Sequence, residues 1–113
     1  MLSNPVLELF AADQPAFGTW ATLVENPKFM RLLKAAGLDF VILEMEHTDF
    51  TIAQVSALIL VARASGLAPI VRPPGLAPHD LTRPLDAGAM GLLLPRIDTP
   101  EQLDGVLRVT KYL

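Results

Sequence analysis

Residues 39–47 read DFVILEMEH, an apolar run of strand length that ends in two carboxylates and an imidazole. Phe40 to Leu43 are all apolar, and three of these four residues are β-branched or aromatic, which predicts a strand buried on both faces. Glu44, Glu46 and His47 then lie at the carboxyl end of this strand. Because ligands bind at that edge in α/β folds, the stretch predicts both the fold class and the position of a site.

The rest of the chain repeats this pattern of strand and helix. Strands are predicted over residues 17–22, 68–72 and 89–94 in addition to the central one. N-cap or proline signals open the predicted helices, which cover residues 4–10, 26–36, 51–65, 78–85 and 99–107. Pro84 is expected to kink or shorten the fourth helix. This alternation of strands and helices is typical of a parallel sheet.

Apolar residues at helical spacing assign a buried face to several of these helices. The residues expected on such faces are Phe29, Leu32, Leu33 and Ala36 in the second helix, and Leu103, Val106 and Leu107 in the last. The helix over residues 51–65 is apolar nearly all round, which predicts that another helix or a subunit covers its outer side. The short first helix is expected to cover one end of the core.

A (β/α)₈ barrel typically needs ~250 residues, so four strand-and-helix units in 113 residues amount to close to half of one. An open, doubly wound sheet of four strands also fits the periodicity. The positions of the polar and aromatic residues favour the barrel, because these residues all lie at strand ends on the same edge: Trp20, Glu44, Glu46, His47, Arg72 and Arg96. We therefore predict an α/β chain with the first four βα units of a TIM (β/α)₈ barrel. The barrel is incomplete in this chain, and residues 1–113 are expected to be the N-terminal half of its single domain.

The composition excludes several classes of protein. Nine basic and twelve acidic residues are interspersed and give a net charge of −3, which leaves no basic patch for nucleic acid or an anionic membrane. Cysteine is absent, which excludes thiolate chemistry and fits a cytoplasmic protein. No apolar stretch approaches the ~20 residues that span a bilayer. At 51% hydrophobic residues, the chain has more apolar surface than so short a chain can hide alone, which indicates a missing portion or a partner.

Short motifs spread over nearly the whole chain carry a specific resemblance. They are GTW at 18–20, AGLDF at 36–40, EH at 46–47, IVRP at 70–73, LDAGA at 85–89 and LP at 94–95. In this order they resemble the N-terminal half of the HpcH/HpaI family of metal-dependent class II pyruvate aldolases. The resemblance implies a barrel enzyme that reversibly cleaves 4-hydroxy-2-oxo acids into pyruvate and an aldehyde. It also implies a divalent metal, Mg²⁺, Mn²⁺ or Co²⁺, that holds the pyruvate moiety.

The resemblance assigns three catalytic residues by position. His47 matches the family's catalytic base, Arg72 matches the residue that stabilises charge developing on the substrate, and Asp86 matches the carboxylate that raises the basicity of the histidine. The chemistry of Arg72 supports its assignment independently. Its planar guanidinium follows a buried strand and precedes two prolines, and this rigid fork suits a carboxylate such as that of pyruvate.

Trp20, Glu44 and Glu46 are assigned to the substrate pocket. Strict alternation along a strand points Glu44 and Glu46 to one side and His47 to the other. His47 therefore reaches the pocket only if the strand has already turned at Met45. Binding of a metal by Glu44, Glu46 and His47 alone is not expected, because adjacent residues rarely converge on one ion without a third element.

The chain departs from the family pattern at two positions. Glu44 stands where an Asp is usual, and Thr48 stands where a small residue is usual, which puts the geometry of the loop in question. The metal ligands of the family, a Glu and an Asp, come from later strands. We therefore assign no metal ligand to this chain and expect both ligands beyond Leu113.

The function expected for the full-length protein is that of a carbon–carbon lyase. Its partners are expected to be a small 2-oxo acid, an aldehyde and further copies of itself in a homo-oligomer, whereas the 113 residues alone are expected to be inactive. Two alternatives remain open: a non-catalytic half-barrel that serves as an interaction module, and a related lyase that acts on an acyl-thioester. Arg96 is as compatible with a functional role as with simple exposure, and His79 is expected to be solvated.

Overall fold

Helices and strands alternate along the chain as the sequence predicts. The computed structural model describes residues 3–111, so Leu113 and the outermost residues of the predicted domain lie outside it. The strands are β1 (Gly18–Ala21), β2 (Phe40–Glu44), β3 (Ala68–Arg72) and β4 (Gly91–Leu92). The helices are α1 (Pro5–Ala11), α2 (Phe29–Ala35), α3 (Ile52–Ala64), α4 (Pro78–Asp86) and α5 (Pro100–Thr110).

The four strands form one parallel sheet in the order β1-β2-β3-β4, so strands that neighbour in the sheet also neighbour in the sequence. A doubly wound sheet reverses its strand order at a switch point, and no such reversal occurs within residues 3–111. The order is that of successive βα units in a (β/α)₈ barrel. None of the helices between residues 3 and 111 combines the length and apolar character needed to cross a membrane.

The two faces of the sheet differ in burial. Val41, Leu43 and Val71 belong to the hydrophobic core that the sheet shares with the helices, and each is fully buried. The alternate residues of the same strands, such as Ile42 and Ile70, are only half-buried. In a closed barrel the second face is the interior and is filled by side chains from every strand. The prediction that β2 is buried on both faces is therefore correct for one face only, because four strands leave the inner face open.

Helix α3 is the best-covered helix of the layer. Its capping box is formed as predicted: the Thr51 hydroxyl accepts from the backbone N–H of Gln54, and the Gln54 side chain accepts from the backbone N–H of Thr51. Helices α2 and α4 pack on either side of it. On the outer side of α3, Leu60 is 69% exposed, so no other helix within residues 3–111 covers this side. That a subunit covers it stays a prediction.

The predicted buried faces of helices α2 and α5 are wrong in part. Helix α2 begins at Phe29, and the Asn26 side chain instead accepts from the Lys28 backbone N–H in the turn before it. The buried residues of α2 are therefore Met30 and Leu33, whereas Leu32 is 66% exposed and Ala36 is also exposed. In α5 only Val106 is buried, whereas Leu103 and Leu107 are 41% and 40% exposed. Both of these leucines lie beside β4, at an edge of the sheet where no further strand is described.

The first helix and the last strand also differ from expectation. Asn4 caps α1 as predicted, but α1 buries none of its residues, so it does not cover an end of the core. Strand β4 has two residues instead of the six predicted over 89–94. The backbone N–H groups of Met90 and Leu93 donate hydrogen bonds to the carbonyls of Pro69 and Val71, so the contact with β3 extends one residue beyond β4 on each side.

Pro84 lies inside α4 and does not end it, since the helix continues to Asp86. Proline removes one N–H and therefore one helical hydrogen bond, here the bond to the carbonyl of Asp80. The ring of Pro84 is fully buried, and only two helical residues follow it. Burial of the ring and the short remainder of the helix explain why the expected shortening does not occur.

The turn after α4 depends on a glycine. Gly88 has a φ of 109°, and its carbonyl accepts a 2.9 Å hydrogen bond from Nη1 of Arg63 in α3. A Cβ at this position would lie 2.8 Å from the same nitrogen and would displace the end of the Arg63 side chain. The positive φ is the stronger reason for glycine, because it strains any L-residue.

We predict that Gly88→Ala lowers the free energy of unfolding by about 1–2 kcal/mol, because an L-residue is strained at this φ. The matched control is Gly105→Ala in α5, where the added Cβ would meet no atom within 4 Å apart from its chain neighbours and the nearby backbone of its own helix. This control is expected to raise the free energy of unfolding by about 0.5–1 kcal/mol, because alanine favours the helix. Urea unfolding of the purified protein measures both values. Equal effects of the two substitutions would contradict the assigned role of Gly88.

Candidate active site

The candidate site begins where β2 and β3 end. Glu44 and Arg72 are the last residues of these strands and are direct partners in the parallel register, so they lie on the same face of the sheet. Nη1 of Arg72 donates to Oε2 of Glu44 at 3.2 Å, and the Glu44 residue is only 5% exposed. The charges predicted at two separate strand tips therefore form one ion pair.

A second carboxylate joins this pair. Nη2 of Arg72 donates to Oε1 of Glu46 at 3.0 Å, and the backbone N–H of Glu46 donates to Oε1 of Glu44 at 2.7 Å. The two carboxylate side chains are 6% and 7% exposed, so both depend on Arg72 for compensation of a buried charge. The sequence predicts all three residues at this edge, but it does not predict that one guanidinium bridges both carboxylates.

Trp20 lies at the same edge, near the end of β1. Its ring centroid is 5.7 Å from Cζ of Arg72, which places the guanidinium over the aromatic face within the range of a cation–π contact. The side of the guanidinium that meets the ring is therefore fixed by an aromatic group, while its terminal nitrogens are fixed by carboxylates. Arg72 itself keeps 26% of its side chain exposed.

His47 is carried by the loop that follows β2. The strand ends at Glu44, so the turn needed for His47 to reach the site is present. The hydroxyl of Thr48 donates to the carbonyl of Glu44 and accepts from the backbone N–H of Phe50, which fixes this loop. The departure at Thr48 thus stabilises the loop in this chain. Nε2 of His47 lies 2.5 Å from Oε1 of Glu46, and 60% of the side chain is exposed.

The structure does not bring Asp86 to His47. Asp86 is the last residue of α4 and is exposed, and the turn after it leads to the amino end of β4. His47 lies at the carboxyl edge, which is the opposite side of the sheet. The carboxylate that contacts His47 in this chain is Glu46.

A cavity of about 580 Å³ opens beside His47 at the carboxyl edge. Glu46 and His47 line one part of the cavity. The loops after β3 and β4 and the first turn of α5 line the rest, with Pro74, Gly75, Leu76, Pro95, Arg96, Asp98 and Gln102. Gly75 in the loop after β3 and Gln102 in the first turn of α5 are members of the site that sequence reasoning missed, because no pattern in the sequence sets them apart from ordinary turn and helix residues. The cavity is large enough for a small organic substrate.

The described residues do not form a metal centre. Within residues 3–111 no group of three or more His, Asp or Glu side chains is arranged to hold an ion. Both oxygens of Glu44 accept hydrogen bonds, and Oε1 of Glu46 is shared by Arg72 and His47. This donor set is already occupied within the chain, so it does not fit the divalent metal that the resemblance implies.

The fold and the site together define the beginning of a (β/α)₈-barrel protein with charged residues at its carboxyl edge. The chain belongs to the HpcH/HpaI aldolase/citrate lyase family, whose model matches residues 17–113. The resemblance found in the sequence and the predicted fold class are confirmed by this match and by the strand order.

Named relatives cover almost all of the chain. Hydroxypyruvate/pyruvate aldolase of Deinococcus radiodurans is 32% identical over 111 residues, which cover 98% of this chain and 40% of that protein. 5-Keto-4-deoxy-D-glucarate aldolase of Escherichia coli O139:H28 is 32% identical over 109 residues, which cover 96% of this chain and 42% of that protein. The chain thus spans about two fifths of the length of the curated relatives that it matches.

Solved structures agree with these relatives. An HpcH/HpaI aldolase from Desulfitobacterium hafniense DCB-2 superposes with a TM-score of 0.92 at 31% identity, over 97% of this chain and 42% of that one. The citrate synthase SbnG superposes with a TM-score of 0.90 over 97% of this chain and 44% of that one. At 24% identity, the second likeness concerns the fold alone.

We predict that Arg72→Met lowers the free energy of unfolding by about 3 kcal/mol, because removing one partner of a buried ion pair leaves uncompensated charges. The control is Arg108→Met in α5, an exposed arginine whose replacement is expected to change stability by less than about 0.5 kcal/mol. Urea unfolding of the two variants and the parent measures the difference. A cost for Arg72→Met no larger than that of the control would show that the two carboxylates are not held by this guanidinium.

Proposed function

We propose that this chain supplies the catalytic base and a charge-stabilising arginine to an aldolase that reversibly cleaves 4-hydroxy-2-oxo acids into pyruvate and an aldehyde. The observation that carries the proposal is the position of the His47 imidazole. It is solvent-accessible, lies against the buried carboxylate of Glu46, and opens onto a cavity at the edge where α/β proteins bind ligands. Membership of the HpcH/HpaI family supports the same class of reaction.

Glu46 orients the base in this proposal. A neutral imidazole that donates its Nε2 proton to Glu46 keeps its lone pair on Nδ1, which can then accept a proton from the substrate. In the cleavage direction that proton comes from the C4 hydroxyl. The electron pair of the O–H bond forms the aldehyde carbonyl, the C3–C4 bond breaks, and its electrons form the enolate of pyruvate, which takes up a proton at C3. Glu46 stabilises the imidazolium that forms.

Arg72 keeps donors available for the substrate. A guanidinium has five N–H donors, and Glu44 and Glu46 each engage one terminal nitrogen. The remaining donors and the exposed quarter of the side chain can bind the substrate carboxylate or the oxygen on which negative charge develops. Because the carboxylates and Trp20 hold the group in place, little reorganisation is needed when that charge appears.

The cofactor and the assembly are part of the proposal. Family membership supports a divalent metal such as Mg²⁺, Mn²⁺ or Co²⁺, with ligands other than the residues at this edge. Asp86 can contact only a His47 of another copy, since it lies on the opposite side of the sheet from the His47 of its own chain. The role that the resemblance gives Asp86 therefore fits a homo-oligomer, which we propose to be cytoplasmic.

We predict that His47→Ala in the full-length protein lowers the rate of pyruvate release by about 10²- to 10⁴-fold, the usual contribution of a general base. Folding is expected to remain intact, because the side chain is 60% exposed. Pyruvate release from 4-hydroxy-2-oxopentanoate, measured with a divalent metal present, gives the rate, and circular dichroism checks the fold.

His79→Ala is the matched control for this experiment. His79 is 64% exposed and also lies beside a carboxylate, that of Asp80, but it does not line the cavity that contains His47. The control is expected to keep the parental rate. A rate for His47→Ala within about threefold of the parent would contradict the assignment, since general base catalysis contributes far more than this.

We further predict that Arg72→Lys lowers kcat/KM for pyruvate release by at least about tenfold although the charge is kept. An ammonium group cannot donate to Glu44, Glu46 and the substrate in the planar geometry of a guanidinium. Steady-state kinetics with the same substrate measure the loss. An unchanged kcat/KM would assign Arg72 a purely structural role in the ion-pair network.

A further inference from the structure

The outer side of helix α3 carries no charged side chain. Ala53, Leu60 and Ala64 are exposed on this side, and Ala57 between them is half-buried. These four residues, which we call the α3 face, recur at helical spacing and therefore lie in one row. Leu60 near the middle of the row is 69% exposed. Helix sides that stay in water normally carry charged or polar residues, so this uncharged row indicates a contact surface.

Completion of the barrel does not cover the α3 face. Helices α2 and α4 already pack on either side of α3. In a (β/α)₈ barrel the helices form the outer ring, so the remaining units of the barrel do not reach the outside of a helix that has both neighbours. The exposure of Leu60 thus differs from that of Leu103 and Leu107, which lie beside β4 at an open edge of the sheet. The cover of the α3 face must come from outside the barrel.

The charges at the two ends of α3 select the kind of cover. Asp49 precedes the amino-terminal end, Arg63 lies in the last turn, and residues 50–62 between them carry no charge. Within residues 3–111, neither Asp49 nor Arg63 has an oppositely charged side chain within 4.0 Å. Arg63 donates to the carbonyl of Gly88 instead, and its Nε is buried without a partner. The surface is therefore negative at one end and positive at the other, which is complementary to a copy of itself turned end to end.

We propose that the α3 face binds the α3 face of a second copy of this chain, with the two helices antiparallel about a two-fold axis between Ala57 and Leu60. Each Asp49 then lies at the end of the contact at which the Arg63 of the other copy lies. The positive end of each helix dipole also meets the negative end of the other. The alanines of the row allow the two helices to approach closely, and the two-fold axis makes one surface serve both copies.

This inference rests on the homo-oligomer of the proposed function, to which it adds the contact surface and the orientation. The amino-terminal end of α3 follows the loop that carries His47, and the last turn of α3 contacts Gly88, two residues after Asp86. Antiparallel packing brings the Asp86 side of one copy towards the His47 side of the other, whereas parallel packing does not.

Sedimentation of the full-length protein tests the surface. Leu60→Glu puts a charge from each copy into the middle of an apolar contact and is expected to reduce the mass of the assembly to half. The matched control is Leu32→Glu, since Leu32 is 66% exposed on the neighbouring helix α2. This control is expected to keep the parental mass, and circular dichroism checks the fold of both variants. A parental mass for Leu60→Glu, or a monomeric parent, would overturn the inference.

Disulfide formation tests the orientation, because the 113 residues contain no cysteine. Antiparallel packing sets Ala53 of one copy opposite Ala64 of the other. The full-length double variant Ala53→Cys/Ala64→Cys should therefore form covalent dimers on oxidation, whereas neither single variant should. The two positions are about 16 Å apart along one helix, too far for a disulfide within one copy. Covalent dimers of a single variant, or none of the double variant, would contradict the antiparallel contact.

The outcomes separate this inference from the proposed function. If the mass depends on Leu60 and the double variant forms covalent dimers, but the parent releases no pyruvate, the contact surface stands and the aldolase proposal fails. If the parent is an active oligomer whose mass does not depend on Leu60, the aldolase proposal stands and the inference fails. If Leu60→Glu does not fold, the cysteine variants decide the question, since alanine and cysteine are of similar size.

Discussion

One guanidinium holds the carboxyl ends of β2 and β3 together, because Arg72 binds two buried carboxylates at once. Without it Glu44 and Glu46 would be buried charges without a counterion, which proteins avoid. The parallel register sets Glu44 opposite Arg72, and the backbone N–H of Glu46 donates to Glu44. The loop that carries His47 therefore starts from a point fixed by charge pairing, and the position of the candidate base follows from the ends of two strands.

The sheet separates this polar edge from the apolar core. Residues facing the helices, such as Leu43 and Val71, are fully buried and supply the stability of the layer. Residues facing the other way, such as Ile42 and Ile70, stay half-buried because four strands enclose only part of a barrel interior. The same face carries Glu44 and Arg72 at its carboxyl end. The open face and the candidate site are consequently parts of one surface. This surface is apolar along the strands and charged at their carboxyl ends.

The sequence predicts what depends on local patterns. The apolar run of β2, the capping box of α3 and the edge that bears His47 and Arg72 all follow from residue types at short spacing. It does not predict what depends on distant contacts. The face of α2 shifts because a turn precedes the helix. Strand β4, at the edge of the sheet beside β3, is shorter than its apolar run predicts. Asp86 is a further example. A sequence motif identifies this residue, but it does not tell at which edge of the sheet the end of α4 places it.

Glu46 couples Arg72 and His47, the arginine and the histidine of the candidate site. Its Oε1 contacts both Nη2 of Arg72 and Nε2 of His47, so the charge on either partner acts on the same oxygen. In the proposed reaction the imidazole becomes positive when it accepts the proton, and the carboxylate then interacts more strongly with His47. The share of its negative charge that is available to Arg72 falls at that moment. The guanidinium is therefore freest to interact with the substrate when the enolate develops, which is the step at which a fixed positive charge lowers the barrier most.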